Sequence, residues 1–90
     1  MYMFMDALAK GAAACGVPQD KALAYAAAAM EGASKMVQQT GQSPIDLKNA
    51  VCSPGGSTLA GVAVLDSANF SQIITNCVNA AYKRNQELGK

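Results

Sequence analysis

The residues best able to do chemistry stand in one short run, Cys52-Ser53-Pro54-Gly55-Gly56-Ser57-Thr58. Proline fixes one backbone dihedral, and glycine permits conformations and close approaches that a side chain forbids. Hydroxyl groups on both sides of the two glycines supply donors. The run feeds a helical segment, so unpaired N–H groups and the positive end of a helix dipole face it. That combination suits a small anion, and a carboxylate fits it well. A plainer reading is also open: Pro-Gly-Gly makes a tight turn, and Ser57 or Thr58 caps the following helix.

Other reactive side chains are sparse. Histidine is absent, which removes the usual general base. Cys15, Cys52 and Cys77 are an odd number at wide spacing with no C-x-x-C, which points to a reducing compartment. With no Cys/His cluster, no metal site is expected. Cys77 falls on an apolar helical face and reads as a core thiol. Asp6 and Glu31 have no base beside them. Lys48, just ahead of the glycine turn, is either a phosphate contact or an ordinary solvated lysine. The five methionines read as core or interface filler. Tyr25 reads as an interface aromatic with a polar tip.

Composition narrows the partners. Seven basic and six acidic residues are scattered to a net charge of +1, with no basic stripe to meet a nucleic acid. The stretch Asn49 to Leu65 is interrupted by Pro54-Gly55-Gly56, so no membrane span is expected. No basic residue precedes Lys10, so the start does not read as a secretory signal. A cytoplasmic, single-domain chain over residues 1–90 is expected. Such a small chain is marginal as a monomer. Yet 51% of its residues are apolar, a surplus that a second copy or another domain can cover.

The elements that must position the loop all read as helices. The first is expected over Met1 to Ala14, with Met1, Met5, Leu8 and Ala12 on one face and Gly16 just past its end. The second opens with Pro18 as its first helical residue and stops at Gly41. Leu23, Ala26, Ala27, Met30, Ala33, Ser34 and Val37 mark its apolar face. At roughly 34 Å it is too long for so short a chain to cover, which favours a partner helix from a second chain. Ser43-Pro44-Ile45-Asp46 reads as the capping box of a short third helix ending near Ala50. A fourth runs from the loop to about Ala68, with Leu59, Val62, Ala63 and Leu65 apolar. The fifth runs from near Asn69 to Leu88, with Phe70, Ile73, Ile74, Cys77, Val78 and Ala81 on one stripe.

The stretch Asp46-Leu47-Lys48-Asn49-Ala50-Val51-Cys52-Ser53-Pro54-Gly55-Gly56-Ser57-Thr58-Leu59-Ala60-Gly61 closely resembles the signature of pyrroline-5-carboxylate reductases, L-K-x-x-V-x-S-P-G-G-[ST]-T-x-x-[AG]. Ala7-Leu8-Ala9 with Gly16-Val17-Pro18 is similar to that family's E-A-L-A and G-[LV]-P segments, with Asp6 in place of glutamate. Gly32-Ala33-Ser34-Lys35-Met36 resembles its G-[AS]-[AS]-K-[ML]. Where the family has Gly-Phe, this chain has Asn69-Phe70. The likeness extends through Ala81-Tyr82-Lys83-Arg84 to Gly89 and covers essentially the whole chain.

The resemblance implies an all-α five-helix bundle like the 6-phosphogluconate-dehydrogenase-like C-terminal domain, interlocked as a homodimer. Larger assemblies of such dimers also occur in the family. The implied reaction is hydride transfer from NADP(H) or NAD(H) to 1-pyrroline-5-carboxylate, giving L-proline. Substrate-binding residues would be Val51, Ser53, Gly55, Gly56, Ser57 and Thr58, with Thr58 close to the ring nitrogen. The family's dinucleotide-binding half, with its G-x-G-x-x-G loop, has no counterpart in these 90 residues. The chain is therefore expected to be the C-terminal part of the enzyme and inactive alone. The competing expectation is a stand-alone helical dimerisation module without enzymatic activity.

Overall fold

Alanine-rich stretches punctuated by glycine and proline leave the backbone little alternative to helix. The computed structural model describes residues 1–89. Among them are α1 (Tyr2–Ala14), α2 (Gln19–Thr40), α3 (Pro44–Val51), α4 (Ser57–Ser67) and α5 (Phe70–Leu88), with no strand. The all-α expectation holds. The chain divides into two compact units, Met1–Leu47 and a second that begins at Lys48.

In the first unit α1 packs on α2. Gly16, at φ +106°, reverses the chain between them. The Val17 amide donates to the Ala12 carbonyl at 3.0 Å, and the Gly16 amide donates to the Ala13 carbonyl at 3.1 Å. These are the two bonds of a Schellman motif, which satisfy carbonyls that the helix end would otherwise strand. Gly41, at φ +69°, ends α2 in the same left-handed region. Pro18 departs from expectation. It stands at the N-cap of α2 with ψ 134°, outside the helix, and its carbonyl accepts from the Lys21 and Ala22 amides, both at 2.9 Å.

The packed faces also differ from the expected ones. Ala9, Ala22 and Ala26 are the buried residues, with Met5, Ala12, Ala13 and Val17 half-buried around them. Leu8 and Leu23 lie exposed, and Met1 and Met3 are almost fully so. Alanine wins the contact because small side chains let two helices approach closely, which leaves the large apolar groups standing outside.

Ser43 caps α3 as expected: its hydroxyl accepts from the Asp46 amide at 3.1 Å. The return bond of the capping box does not form among the described residues; aspartate is one methylene shorter than the glutamate of that motif. In the second unit α4 meets α5 at a corner made by Asn69. This residue adopts φ 57°, ψ 47°, the left-handed conformation that asparagine tolerates better than most non-glycine residues. The α5 stripe is not a core. Ile73, Ile74 and Val78 are exposed, and Cys77 is too, which corrects its reading as a core thiol. Ile73, Ile74 and Val78 thus carry apolar surface that stays open to solvent in the single chain.

Asn69→Gly is expected to match or slightly raise stability in urea unfolding. Asn69→Val should lower it by about 1–2 kcal/mol, because a β-branched residue clashes with the carbonyl in the left-handed region. Equal stability of the two variants would contradict the conformation at this corner.

Candidate functional site

The loop Cys52–Gly56 lies wholly in the second unit, between the end of α3 and the start of α4. The Gly56 amide donates to the Ser53 carbonyl at 2.9 Å, closing a four-residue turn. Pro54 takes the position that favours its fixed φ. Gly55 follows at φ +73°, the value that a type II turn requires of its third residue. Gly56 is needed for a different reason. A Cβ built there would stand 2.7 Å from Ser53 Oγ and 3.1 Å from the Ser53 carbonyl oxygen. A side chain at this position would force the turn open.

Gly56 is also the N-cap of α4, in an extended conformation, and no side chain caps the helix. The alternative reading of Ser57 or Thr58 as the cap is thereby corrected: both lie inside the first turn of α4. Amide groups of that turn therefore have no intrahelical partner, and the dipole leaves partial positive charge on them. Ser53 and Thr58 bring hydroxyls to the same short stretch of chain. All the expected site residues are thus close in sequence and on one loop-to-helix junction. Val51 ends α3 and is exposed, as are Ser53, Gly55, Ser57 and Thr58, while Gly56 and Cys52 are half-buried. The arrangement can receive a carboxylate through backbone N–H groups, supported by hydroxyl donors.

Two concave regions lie away from this junction. An open groove of about 530 Å³ runs between α1 and α2, lined by Ala9, Ala13, Ala22, Leu23, Lys10 and Gln19. Its one charged group is already engaged. Lys10 Nζ donates to Asp6 Oδ2 at 2.8 Å, and this hydrogen bond, with the carboxylate charge, holds the ammonium above its ordinary pKa. Both side chains are solvated, so the pair contributes little. A smaller concavity at the α4–α5 corner is lined by Asp66, Asn69, Phe70, Ser71 and Gln72. Among the described residues no three Cys, Asp or Glu side chains gather where a metal could sit. No described helix is long and apolar enough to cross a membrane.

This chain is similar in sequence and in fold to known proteins. A family model described as pyrroline-5-carboxylate reductase dimerisation matches residues 1–88. The chain is 43% identical over 88 residues to the pyrroline-5-carboxylate reductase of Glycine max, covering 98% of this chain and 32% of that protein. It is 37% identical over 90 residues to the Escherichia coli enzyme of the same name, covering 100% of this chain and 34% of that one. Among solved structures, a pyrroline-5-carboxylate reductase from Coxiella burnetii superposes with a TM-score of 0.93 at 32% identity, over 99% of this chain and 33% of that one. The Plasmodium falciparum pyrroline carboxylate reductase, solved with NADP bound, gives 0.92 at 26% identity over 99% and 36%. The chain spans about a third of the length of the curated relatives it matches.

Proposed function

The chain belongs to the pyrroline-5-carboxylate reductase dimerisation family, and from that membership we propose that it is the dimerisation and substrate-holding part of a reductase converting 1-pyrroline-5-carboxylate to L-proline. The observation that carries the proposal is the Ser53–Gly56 turn running into the uncapped N-terminus of α4. The substrate brings a carboxylate, and a junction of free amides and hydroxyls is what a carboxylate seeks.

The backbone amides of the first turn of α4 bind the carboxylate, helped by the hydroxyls of Ser53 and Ser57. Gly55 and Gly56 keep the backbone bare enough for close approach, and Val51 lines the apolar side of the ring. Thr58 places its hydroxyl near the ring nitrogen. The hydride comes from NADPH or NADH. The described residues do not fit that cofactor by themselves, since they include no strand and the sequence holds no G-x-G-x-x-G run. This chain's share of catalysis is therefore positioning: it holds the substrate in one orientation. In this reading the imine arrives already protonated, so that no general acid is required of this chain. Three free cysteines support a reducing compartment, and we place the protein in the cytoplasm as a homodimer.

A chimera tests the reading. This chain replaces the matching third of the Escherichia coli enzyme, and oxidation of NADPH is followed with 1-pyrroline-5-carboxylate as substrate. Activity within about tenfold of the parent is the expected result. A chimera that dimerises but reduces nothing would favour a stand-alone dimerisation module instead. In an active chimera, Thr58→Ala should lower kcat/KM by about 10- to 100-fold, the effect of one lost hydrogen bond to a polar ligand atom. Unchanged kinetics would remove Thr58 from the site.

A further inference from the structure

How an anion is drawn to the Ser53–Gly56 turn is a separate question, and the answer rests on the carboxylate-binding reading of that turn. Between Lys35 and Lys83 the sequence holds a single cation, Lys48, against two carboxylates, Asp46 and Asp66. With Lys48 neutral, the stretch that makes α3, the loop and α4 would repel an anion. Lys10, Lys35 and Arg84 are each paired with a carboxylate. Lys48 is exposed and has no ion pair or hydrogen bond on its ammonium among the described residues.

The backbone on the two sides of the loop pulls in opposite directions. The first turn of α4 presents free amides, the positive end of its dipole. The last turn of α3 directs its carbonyls along the axis past Val51, and that end is negative. Among the described residues the Cys52 amide takes the Asn49 carbonyl there, at 3.2 Å. A carboxylate seated on α4 is thus one short loop away from partial charge of its own sign. Lys48 stands in the last turn of α3, where a cation offsets that charge.

Reach decides how it can act. Lys48 and Ser53 are five residues apart, three steps helical and two at most extended, so their Cα atoms lie within about 12 Å. A helical Cα–Cβ bond tilts toward the helix N-terminus, which carries the ammonium away from the loop and leaves it to act through its field. The screening length is about 30 Å at 0.01 M ionic strength and about 3 Å at 1 M. The field therefore covers the loop at low salt and not at high salt.

We infer that Lys48 sets the preference of the Ser53–Gly56 site for ligands of net negative charge, offsetting the end of α3 together with Asp46 and Asp66 without touching the ligand. One unit charge about 10–12 Å away changes a binding constant by about 2- to 10-fold, between water-like and surface-like dielectric. A zwitterion feels much less, because its cationic end cancels most of the attraction.

The test uses the active chimera and two inhibitors of similar ring size, measured against 1-pyrroline-5-carboxylate. Cyclopentanecarboxylate carries one negative charge, and L-proline is a zwitterion. At 0.01 M ionic strength Lys48→Gln should weaken inhibition by cyclopentanecarboxylate about fivefold and Lys48→Glu about 25-fold, the square of the first for twice the change in charge. Lys48→Arg should stay within about twofold of the parent. At 1 M all four proteins should agree within about twofold, and inhibition by L-proline should change no more than that at either salt concentration. Equal losses for both inhibitors, or a loss that persists at 1 M, would mean a structural role for Lys48 and overturn the inference. So would unchanged inhibition in Lys48→Glu, or an effect confined to the KM for NADPH, which would assign the lysine to a cofactor phosphate. A chimera that reduces substrate but is not inhibited by cyclopentanecarboxylate would overturn it as well. An inactive chimera would remove the underlying carboxylate reading and the inference with it.

Discussion

Each tenfold dilution of the purified chain is expected to lower its apparent folding stability by about 1.4 kcal/mol, the mass-action signature of a fold completed by a second copy. The reason is the poverty of the internal core. Among the described residues the buried ones are three alanines, and no large side chain is fully buried. Meanwhile Ile73, Ile74 and Val78 stand exposed on one stripe of α5. Burying an aliphatic side chain of that size contributes about 1.5–3 kcal/mol, and in a twofold dimer each is buried twice. Ile74→Ala should therefore raise the dimer dissociation constant by about 100-fold or more. Thermal unfolding followed at several concentrations, alongside sedimentation equilibrium, measures both effects. A midpoint independent of concentration, together with an Ile74→Ala chain as stable as its parent, would mean that another surface covers α5.

The sequence made the helices and their ends legible because those are local matters. Gly16 and Gly41 adopt the left-handed conformation at helix ends, where an alanine-rich pattern gives way to glycine. Ser43 caps α3 through the bond that the spacing to Asp46 implies. The family's glycine at the α4–α5 corner is explained by Asn69, whose φ of 57° is a value glycine reaches freely. What could not be read was which face of each helix turns inward. Periodicity finds an apolar stripe but does not say whether its own chain or another covers it. Leu8 and Leu23 were expected to pack and stand exposed, while Ala9 and Ala22 are buried. Cys77 is a further instance: a thiol on an apolar stripe looks like core, yet it stands exposed with Ile73, Ile74 and Val78. The candidate loop was legible in composition but not in mechanism. Gly55 and Gly56 look equivalent in sequence, yet one is required for its positive φ and the other for the space beside Ser53.

That division of labour sets the second large effect. Gly56→Ala in the active chimera should cost about 100-fold in kcat/KM, carried mainly by KM. The added methyl would sit 2.7 Å from Ser53 Oγ and 3.1 Å from the Ser53 carbonyl oxygen. The hydroxyl can rotate away, but the carbonyl is the acceptor that closes the turn at 2.9 Å, so the backbone itself must shift. A displacement of about 1 Å in groups that orient a substrate is enough for a loss of that order. Pairing the substitution with Ser53→Gly removes the Oγ clash and leaves the carbonyl clash. If only Oγ mattered, the double variant would recover the kinetics of Ser53→Gly alone; if the carbonyl governs the turn, it stays about tenfold or more below. Gly55→Ala should fail differently, because the strain at φ +73° is intrinsic to the residue and no change at Ser53 can relieve it. Kinetics of Gly56→Ala indistinguishable from the unsubstituted chimera would show that the turn does not hold the substrate, whatever the α4 amides do.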